Sequence, residues 1–253
     1  MARLAGKFVW FEHLSNDIPK ARAFYEKLFG WNTEAMAMGA GDPYQVIHNG
    51  DKGIGGYTQA PAGSPPQWLS YLSVTDVDAA YKAALAAGAK SLMAPTDYGG
   101  AGRAATIADP TGGVFALWKG AQDDPADVDK TPPGGWIWNE LTTKDDKAAL
   151  AFYEKVFGFT HDAMPMPDGT YYVLKRGDKG RAGVFKAPNP SIPTMWLPYV
   201  SVADCDAVAA HAKSLGATVH MPPTDIPNVG RFAMFGDPQG AAIAVLKPDP
   251  AMG

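Results

Sequence analysis

Residues 8–31 read FVWFEHLSNDIPKARAFYEKLFGW, and residues 136–159 read WIWNELTTKDDKAALAFYEKVFGF. The two stretches align without a gap at an offset of 128, with 11 of 24 positions identical. The offset holds, within one residue, to the end of the chain. Gly50-Asp51-Lys52-Gly53 matches Gly177-Asp178-Lys179-Gly180, Pro95-Thr96-Asp97 matches Pro223-Thr224-Asp225, and Asp109-Pro110-x-Gly112 matches Asp237-Pro238-x-Gly240. Solenoid repeats span roughly 20–50 residues, so a repeat this long is a duplicated domain. The boundaries follow as residues 5–120 for the first copy, 121–134 for a linker and 135–249 for the second copy. Asp, Pro and Gly crowd the linker, which reads as an exposed segment.

Within each copy a strand-helix-strands pattern runs once and then restarts. Phe8 to Leu14 alternates as a half-buried strand does. Asp17 then suits a helix N-cap, Ile18, Ala21, Phe24, Tyr25, Leu28 and Phe29 share one helical face, and Gly30 stops the helix. Short strands follow near Tyr44–His48 and Ile54–Gln59. The restart is a strand at Trp68–Val74 and a second helix capped by Asp76 and ended by Gly88. Strands near Lys90–Met93, Ala104–Ala108 and Val114–Trp118 close the copy. The expected class is α+β, four such modules in a row. Gly39-Ala40-Gly41-Asp42 and Gly99-Gly100-Ala101-Gly102 read as loops, since neither joins a strand to a helix as a phosphate-binding loop does.

Charge and composition remove several function classes. Lys and Arg number 22 against 26 Asp and Glu, a net charge of -4, which speaks against a nucleic-acid partner. Cys205 stands alone, so neither an internal disulfide nor a paired-cysteine zinc motif is available, and a cytoplasmic location fits. No run of about eighteen apolar residues exists to span a membrane, and Met1 to Lys7 lacks the apolar stretch of a signal peptide.

The strand-Asp-helix opening that ends in FYEKLFG or FYEKVFG, the strand-Asp-helix-Gly restart and the closing GR-x5-DPxG strand, each present once per copy, resemble the vicinal oxygen chelate (glyoxalase/bleomycin resistance/dioxygenase) superfamily. The resemblance covers nearly the whole chain. It implies paired βαβββ modules whose sheets curl into a ligand-holding cup, in many members around a divalent metal that chelates vicinal substrate oxygens as a Lewis acid. It also implies where the metal ligands would stand. The first-strand position falls on Trp10 and Trp138, the fifth-strand position on Leu69 and Leu197, and the last-strand position on Ala116 and Ala244. None of these side chains coordinates a divalent cation. No cofactor is therefore expected, with a divalent metal on displaced ligands as the lesser alternative.

What remains for chemistry is a pair of carboxylates and many rings. Strand residues alternate faces, so Glu12 shares the face of Trp10, and Glu140 that of Trp138. A carboxylate beside an indole in a half-closed cup would be partly desolvated, raising its pKa toward general acid/base use. The competing reading has each glutamate pair with a nearby arginine, for which the repeated Arg103 and Arg231 are the candidates, or cap a turn. Candidate ligand-binding residues are Trp10, Tyr44, Tyr57, Trp68 and Trp118 with His48 and Arg103 in the first copy, and Trp138, Tyr172 and Trp196 with Arg231 in the second. Core packing is the alternative for each ring. His13, replaced by Leu141 in the second copy, should face away from Glu12, at the surface or satisfied. Cys205 replaces Val77 and reads as buried packing.

Three functions compete. The first is a metal-independent protein that binds an aromatic or apolar small molecule. The second is an enzyme of lyase, isomerase or hydroxylase/dioxygenase type that uses Glu12 or Glu140, or a displaced metal. The third is an interaction protein with vestigial cups. A fused pseudo-dimer acting as a monomer, or a homodimer, is expected.

Overall fold

The computed structural model describes residues 4–37, 43–122, 125–128, 130–166 and 169–250. The glycine-rich stretch Gly39–Asp42 lies outside them. The first copy holds β1 (Phe8–Ser15), α1 (Ile18–Phe29), β2 (Asn32–Met36), β3 (Tyr44–Asn49) and β4 (Lys52–Gln59), then β5 (Gln67–Ser73), α2 (Val77–Ala86), β6 (Lys90–Asp97), β7 (Gly102–Ala108) and β8 (Val114–Gly120). The second copy repeats the series as β9 (Trp136–Thr143), α3 (Asp146–Phe157), β10 (Thr160–Met166), β11 (Gly169–Arg176) and β12 (Lys179–Lys186), then β13 (Met195–Ser201), α4 (Cys205–Ser214), β14 (Thr218–Ile226), β15 (Gly230–Gly236) and β16 (Ala242–Pro248). The chain is thus an α+β protein of four βαβββ modules. Two eight-stranded sheets result, ordered β2-β3-β4-β1-β5-β8-β7-β6 and β10-β11-β12-β9-β13-β16-β15-β14. Within each module the first and last strands pair in parallel and the others antiparallel.

The helices start where the sequence places them. Asp17, Asp76, Asp145 and Asp204 each accept the backbone N–H three residues on. Each such cap stabilises its helix by about 1 kcal/mol over alanine. Gly30 and Gly158 end α1 and α3 in the left-handed region, at φ 70° and 64°, where a Cβ would be strained. The strands β2 and β10 were not evident in the sequence. Their residues are almost all exposed, so neither carries the apolar alternation that marks a half-buried strand.

Contacts group the chain into two compact units. One comprises Met1–Trp10, Leu69–Asp127 and Trp138–Leu197, and the other Phe11–Trp68, Val128–Ile137 and Pro198–Gly253. Each unit therefore combines one module of each copy. A module's helix leaves an apolar surface that needs a second layer, and the other copy supplies it. In the first unit α2 packs on α3, and Tyr153, Trp196, Phe115 and Phe157 form the ring cluster of its core. In the second unit α1 meets α4, and Tyr25, Trp31, Trp68 and Trp136 cluster in the same manner.

Most described residues of the inter-copy segment are exposed, and two points tie it down. In the first unit Asp127 accepts from Lys7 Nζ at 2.8 Å and Arg181 Nη2 at 2.8 Å, with Lys179 Nζ at 3.3 Å. In the second unit Gly134 O accepts from Trp31 Nε1, Pro133 O from Asn49 Nδ2, and Gly134 N and Gly135 O bond Ser201. Composition alone could not reveal these contacts, because their partners lie far off in sequence.

Candidate functional site

Each module's sheet has a face covered by helix and a face without one, and strand register decides which residues sit where. In the second unit Glu12 pairs in register with Gly56 and Leu14 with Thr58 across β1 and β4, while Val46 pairs with Gly56 across β3 and β4. Glu12, Gly56, Thr58, Tyr44 and Val46 therefore share the face opposite α1. Glu12 is 9% exposed, and one carboxylate oxygen, Oε1, accepts from Tyr44 Oη and Thr58 Oγ1, both at 2.9 Å. The Tyr44 ring reaches it by lying across β4 at Gly56, where a Cβ would collide with the phenol. A mid-strand glycine serves here to let a side chain pass close over the backbone.

The first unit carries the same device in the second copy. Gly183 pairs with Glu140, and Tyr171 with Phe185, on the face opposite α3. Trp138 Nε1 donates to Tyr171 Oη at 2.8 Å, so the phenol proton is left for Glu140, with which Tyr171 also hydrogen-bonds. Burial, and next the Glu140 charge, push the Tyr171 phenol well above its ordinary pKa, so it stays a donor. A Cβ at Gly183 would collide with that hydroxyl, and the Trp138 indole lies along β12 from Gly180 to Gly183. Met164, opposite Tyr171 in register, and Met166 are exposed on the same face. The first copy's Met36, opposite Tyr44, is likewise exposed.

The hydrogen bonds described at the glutamates come from tyrosines and, at Glu12, from Thr58, not from the arginines proposed from sequence. Arg103 is engaged by Asp78 and Asp97, and Arg231 by Asp206 and Asp225, each with a bidentate fork on the helix aspartate. These pairs tie α2 to β6 and β7, and α4 to β14 and β15. The guanidinium bonds also lower the Asp78 and Asp206 carboxyls below their usual range. Both arginines are thereby held against the helix of their own module.

Other expected lining residues divide by face. Trp10 shares the side of Glu12, and Trp138 that of Glu140. Trp118 shares the face of Tyr71, against which it packs edge-on at 6.1 Å. His48 lies on β3 with Nε2 3.6 Å from Glu34 Oε2, too long for a hydrogen bond. Tyr57, Trp68, Tyr172 and Trp196 belong to the helix side instead. Trp68 Nε1 donates to Tyr25 Oη at 2.9 Å and Trp196 Nε1 to Tyr153 Oη at 3.1 Å. Tyr57 packs near His13, and Tyr172 bonds Lys147 on α3. Each is one residue out of phase with the ligand face. Tyr171, rather than its neighbour Tyr172, is the counterpart of Tyr44. The signal that marks it is the recurrence of Tyr44 and Gly56 as Tyr171 and Gly183 at one offset, 127.

His13 is buried rather than at the surface. In the second unit its Nε2 stands 2.7 Å from Asp237 Oδ2, which also accepts from Tyr25 Oη at 3.0 Å, while Asp237 Oδ1 accepts from the backbone of Gln239 and Ala241. His13 Nδ1 is buried without a hydrogen-bond partner among the rings of Tyr25, Tyr57 and Trp68. The first unit repeats the loop with Asp109, whose Oδ2 accepts from Tyr153 Oη at 2.7 Å and whose Oδ1 accepts from Thr111 and Gly113. Leu141 takes the histidine's place there. Cys205 is buried at the start of α4, and burial pushes its thiol up to about 11.

A family model for the Glyoxalase/Bleomycin resistance protein/Dioxygenase superfamily matches residues 7–117 and 137–245. The chain belongs to that superfamily, and both copies do so separately. Among individual relatives, it is 40% identical over 248 residues to "Putative glyoxylase CFP32" of Mycobacterium tuberculosis (strain CDC 1551 / Oshkosh), covering 95% of this chain and 94% of that protein. It is 31% identical over 264 residues to the anthracycline biosynthesis protein DnrV of Streptomyces peucetius, covering 98% and 95%. The fold matches that of a Mn(II)-bound glyoxalase from Novosphingobium aromaticivorans with TM-score 0.67 at 17% identity, covering 96% of this chain and 82% of that one. It also matches the 2,3-dioxygenase LapB of Pseudomonas sp. KL28, with TM-score 0.64 at 13% identity, covering 98% and 96%.

The metal that the fold implies can be tested against the donors present. Trp10 on β1, Leu69 on β5 and Ala116 on β8 occupy the expected positions in the first copy, and Trp138, Leu197 and Ala244 in the second. Indole, isobutyl and methyl groups supply no lone pair for a divalent cation. Among the described residues no three His, Cys, Asp or Glu side chains group into an alternative ligand set. The residues present do not fit the group.

Proposed function

We propose that this protein binds a small aromatic molecule on the helix-free faces of its first and third modules, without a metal, and that Glu12 and Glu140 take a hydroxyl or N–H of that ligand. The observation that carries the reading is the repeated glutamate–tyrosine pair lying across a strand glycine. A carboxylate held by hydroxyl donors, buried at Glu12 and part-buried at Glu140, is oriented, and it accepts a further hydrogen bond on its remaining lone pairs. Tyrosine, tryptophan and methionine around it offer flat and adaptable apolar surface. Tryptophan, leucine and alanine at the metal positions support binding through rings, shape and those two carboxylates.

Calorimetric titration with 2-naphthol, a flat ring carrying one hydroxyl, tests this. The expected result is saturable binding that weakens about tenfold in Glu12→Gln or Glu140→Gln, the loss of one charge-assisted hydrogen bond. Binding unchanged in the doubly substituted protein overturns the reading.

A second reading, that of an enzyme, is favoured by the chain Trp138–Tyr171–Glu140. It fixes the carboxylate's proton donor and leaves Glu140 placed to exchange a proton with a bound ligand. Turnover abolished in Glu140→Gln, with ligand affinity reduced only modestly, distinguishes it from simple binding.

A further inference from the structure

We infer that the second copy's ligand face holds a carboxylate-binding subsite built by Arg181, Lys7 and Lys179, and that Asp127 of the inter-copy segment is its resident occupant. The inference rests on the reading of that face as a ligand surface, and it names a ligand class there, the flat aromatic monocarboxylate. All of the residues lie in the first unit. Arg181 stands on β12 at the bulge between Gly180 and Ala182, where β12 carries one residue more than β11, and two residues before Gly183, the partner of Glu140. The Trp138 indole lies alongside, spanning Gly180 to Gly183.

Three cations meet one carboxylate. Lys7 Nζ and Arg181 Nη2 are each 2.8 Å from Asp127, and Lys179 Nζ is 3.3 Å away. These bonds, Arg181's foremost, hold the Asp127 carboxyl far below the usual range. The Arg181 side chain is only 9% exposed, yet its Nε is buried with no hydrogen-bond partner. A guanidinium binds a free carboxylate through two parallel N–H groups. Asp127, tethered to the main chain, uses Nη2 and leaves Nε unsatisfied, which is costly in a buried group. A diffusible carboxylate satisfies both N–H groups and lays its ring against Trp138. Exchanging Asp127 for it leaves the charge of the cluster unchanged beside Glu140. The first copy's face has no such subsite, since Ile54 stands where the second copy has Arg181, and Gly135, the counterpart of Lys7, carries no charge. The predicted stoichiometry is one.

The test compares 2-naphthoate with the neutral 2-naphthamide, by calorimetry and thermal melting at low salt, in the full chain. Asp127→Ala removes the occupant. If that carboxylate fills the subsite about nine-tenths of the time, its loss tightens 2-naphthoate binding about tenfold. The melting temperature lost in Asp127→Ala is also regained with 2-naphthoate and not with 2-naphthamide. Asp127→Asn, which keeps the side chain's shape, serves if the alanine protein folds poorly. Adding Arg181→Gln cancels the gain. No gain in either Asp127 variant, an equal gain with the amide, or a gain that survives Arg181→Gln overturns the proposal. Binding of 2-naphthol without any 2-naphthoate gain sinks the subsite alone. A 2-naphthoate gain without 2-naphthol binding supports the subsite and sinks the broader reading.

Discussion

Replacing His13 by leucine copies into the first repeat the arrangement the second already has at Leu141. His13 is fully buried, and its Nε2 lies 2.7 Å from Asp237. A hydrogen bond to a charged group contributes about 1.5–3 kcal/mol, and a buried carboxylate that loses a donor sacrifices more. Two effects offset this. Asp237 keeps the Tyr25 hydroxyl and two backbone N–H groups. Leucine also ends the burial of an unpartnered Nδ1 and packs among aromatic rings, worth about 1–2 kcal/mol. The net expected loss is about 2 kcal/mol at neutral pH, a fall of about 4–8 °C in melting temperature for a chain of this size.

The pH dependence gives the sign. Burial by itself would raise the Asp237 carboxyl, but the His13 bond and the loop N–H groups outweigh it and hold the pKa low. A carboxyl depressed in the folded state contributes stability that is complete above its unfolded pKa of about 3.9, and that is lost as pH falls through the folded value. The gap between wild type and His13→Leu is therefore full near neutral pH and closes below about pH 4. Thermal melts across that range measure it. A difference under about 1 °C at neutral pH, or one that stays constant into acid, refutes the argument.

Other outcomes follow from the same geometry. Gly183→Ala forces Tyr171 off Glu140 and costs about 1–3 kcal/mol by overpacking; tyrosine fluorescence and a melt report both effects, and an unchanged protein would contradict the strand-crossing geometry. Tyr44→Phe removes one of the Glu12 donors and weakens 2-naphthol binding several-fold, about 1 kcal/mol, read by calorimetry. The buried Cys205 thiol, pushed up to about 11, stays unreactive to a disulfide reagent in native protein near pH 8 and reacts once denatured. Substituting Asp204 by alanine costs α4 its cap, about 1 kcal/mol by melting.

Much of this architecture was legible in the residues. The FYEK repeat marked two copies, each Asp cap marked a helix start, and alternation along β1 set Glu12 and His13 on opposite sides. What failed was parity. Trp68 and Trp196 look like ligand rings in sequence, but register turns them toward α1 and α3. A one-residue shift in phase moves every side chain to the opposite face. Adjacent tyrosines at 171 and 172 offered no local means of choosing between them. The His13–Asp237 bond joins residues 224 apart, and the Asp127 cluster draws on three separate segments. Neither leaves a local trace, although the His13/Leu141 difference between otherwise similar copies was a hint that one position had acquired a distant partner.

The claim beneath the whole account is that these faces recognise a ligand through glutamate, tyrosine and indole rather than through a bound cation. Titrating 2-naphthol into chelator-treated protein, and again with excess Mn(II), tests it most directly. The account predicts one affinity in both conditions, with no manganese retained after gel filtration. Binding that appears only with manganese, together with stoichiometric metal on the protein, would contradict it.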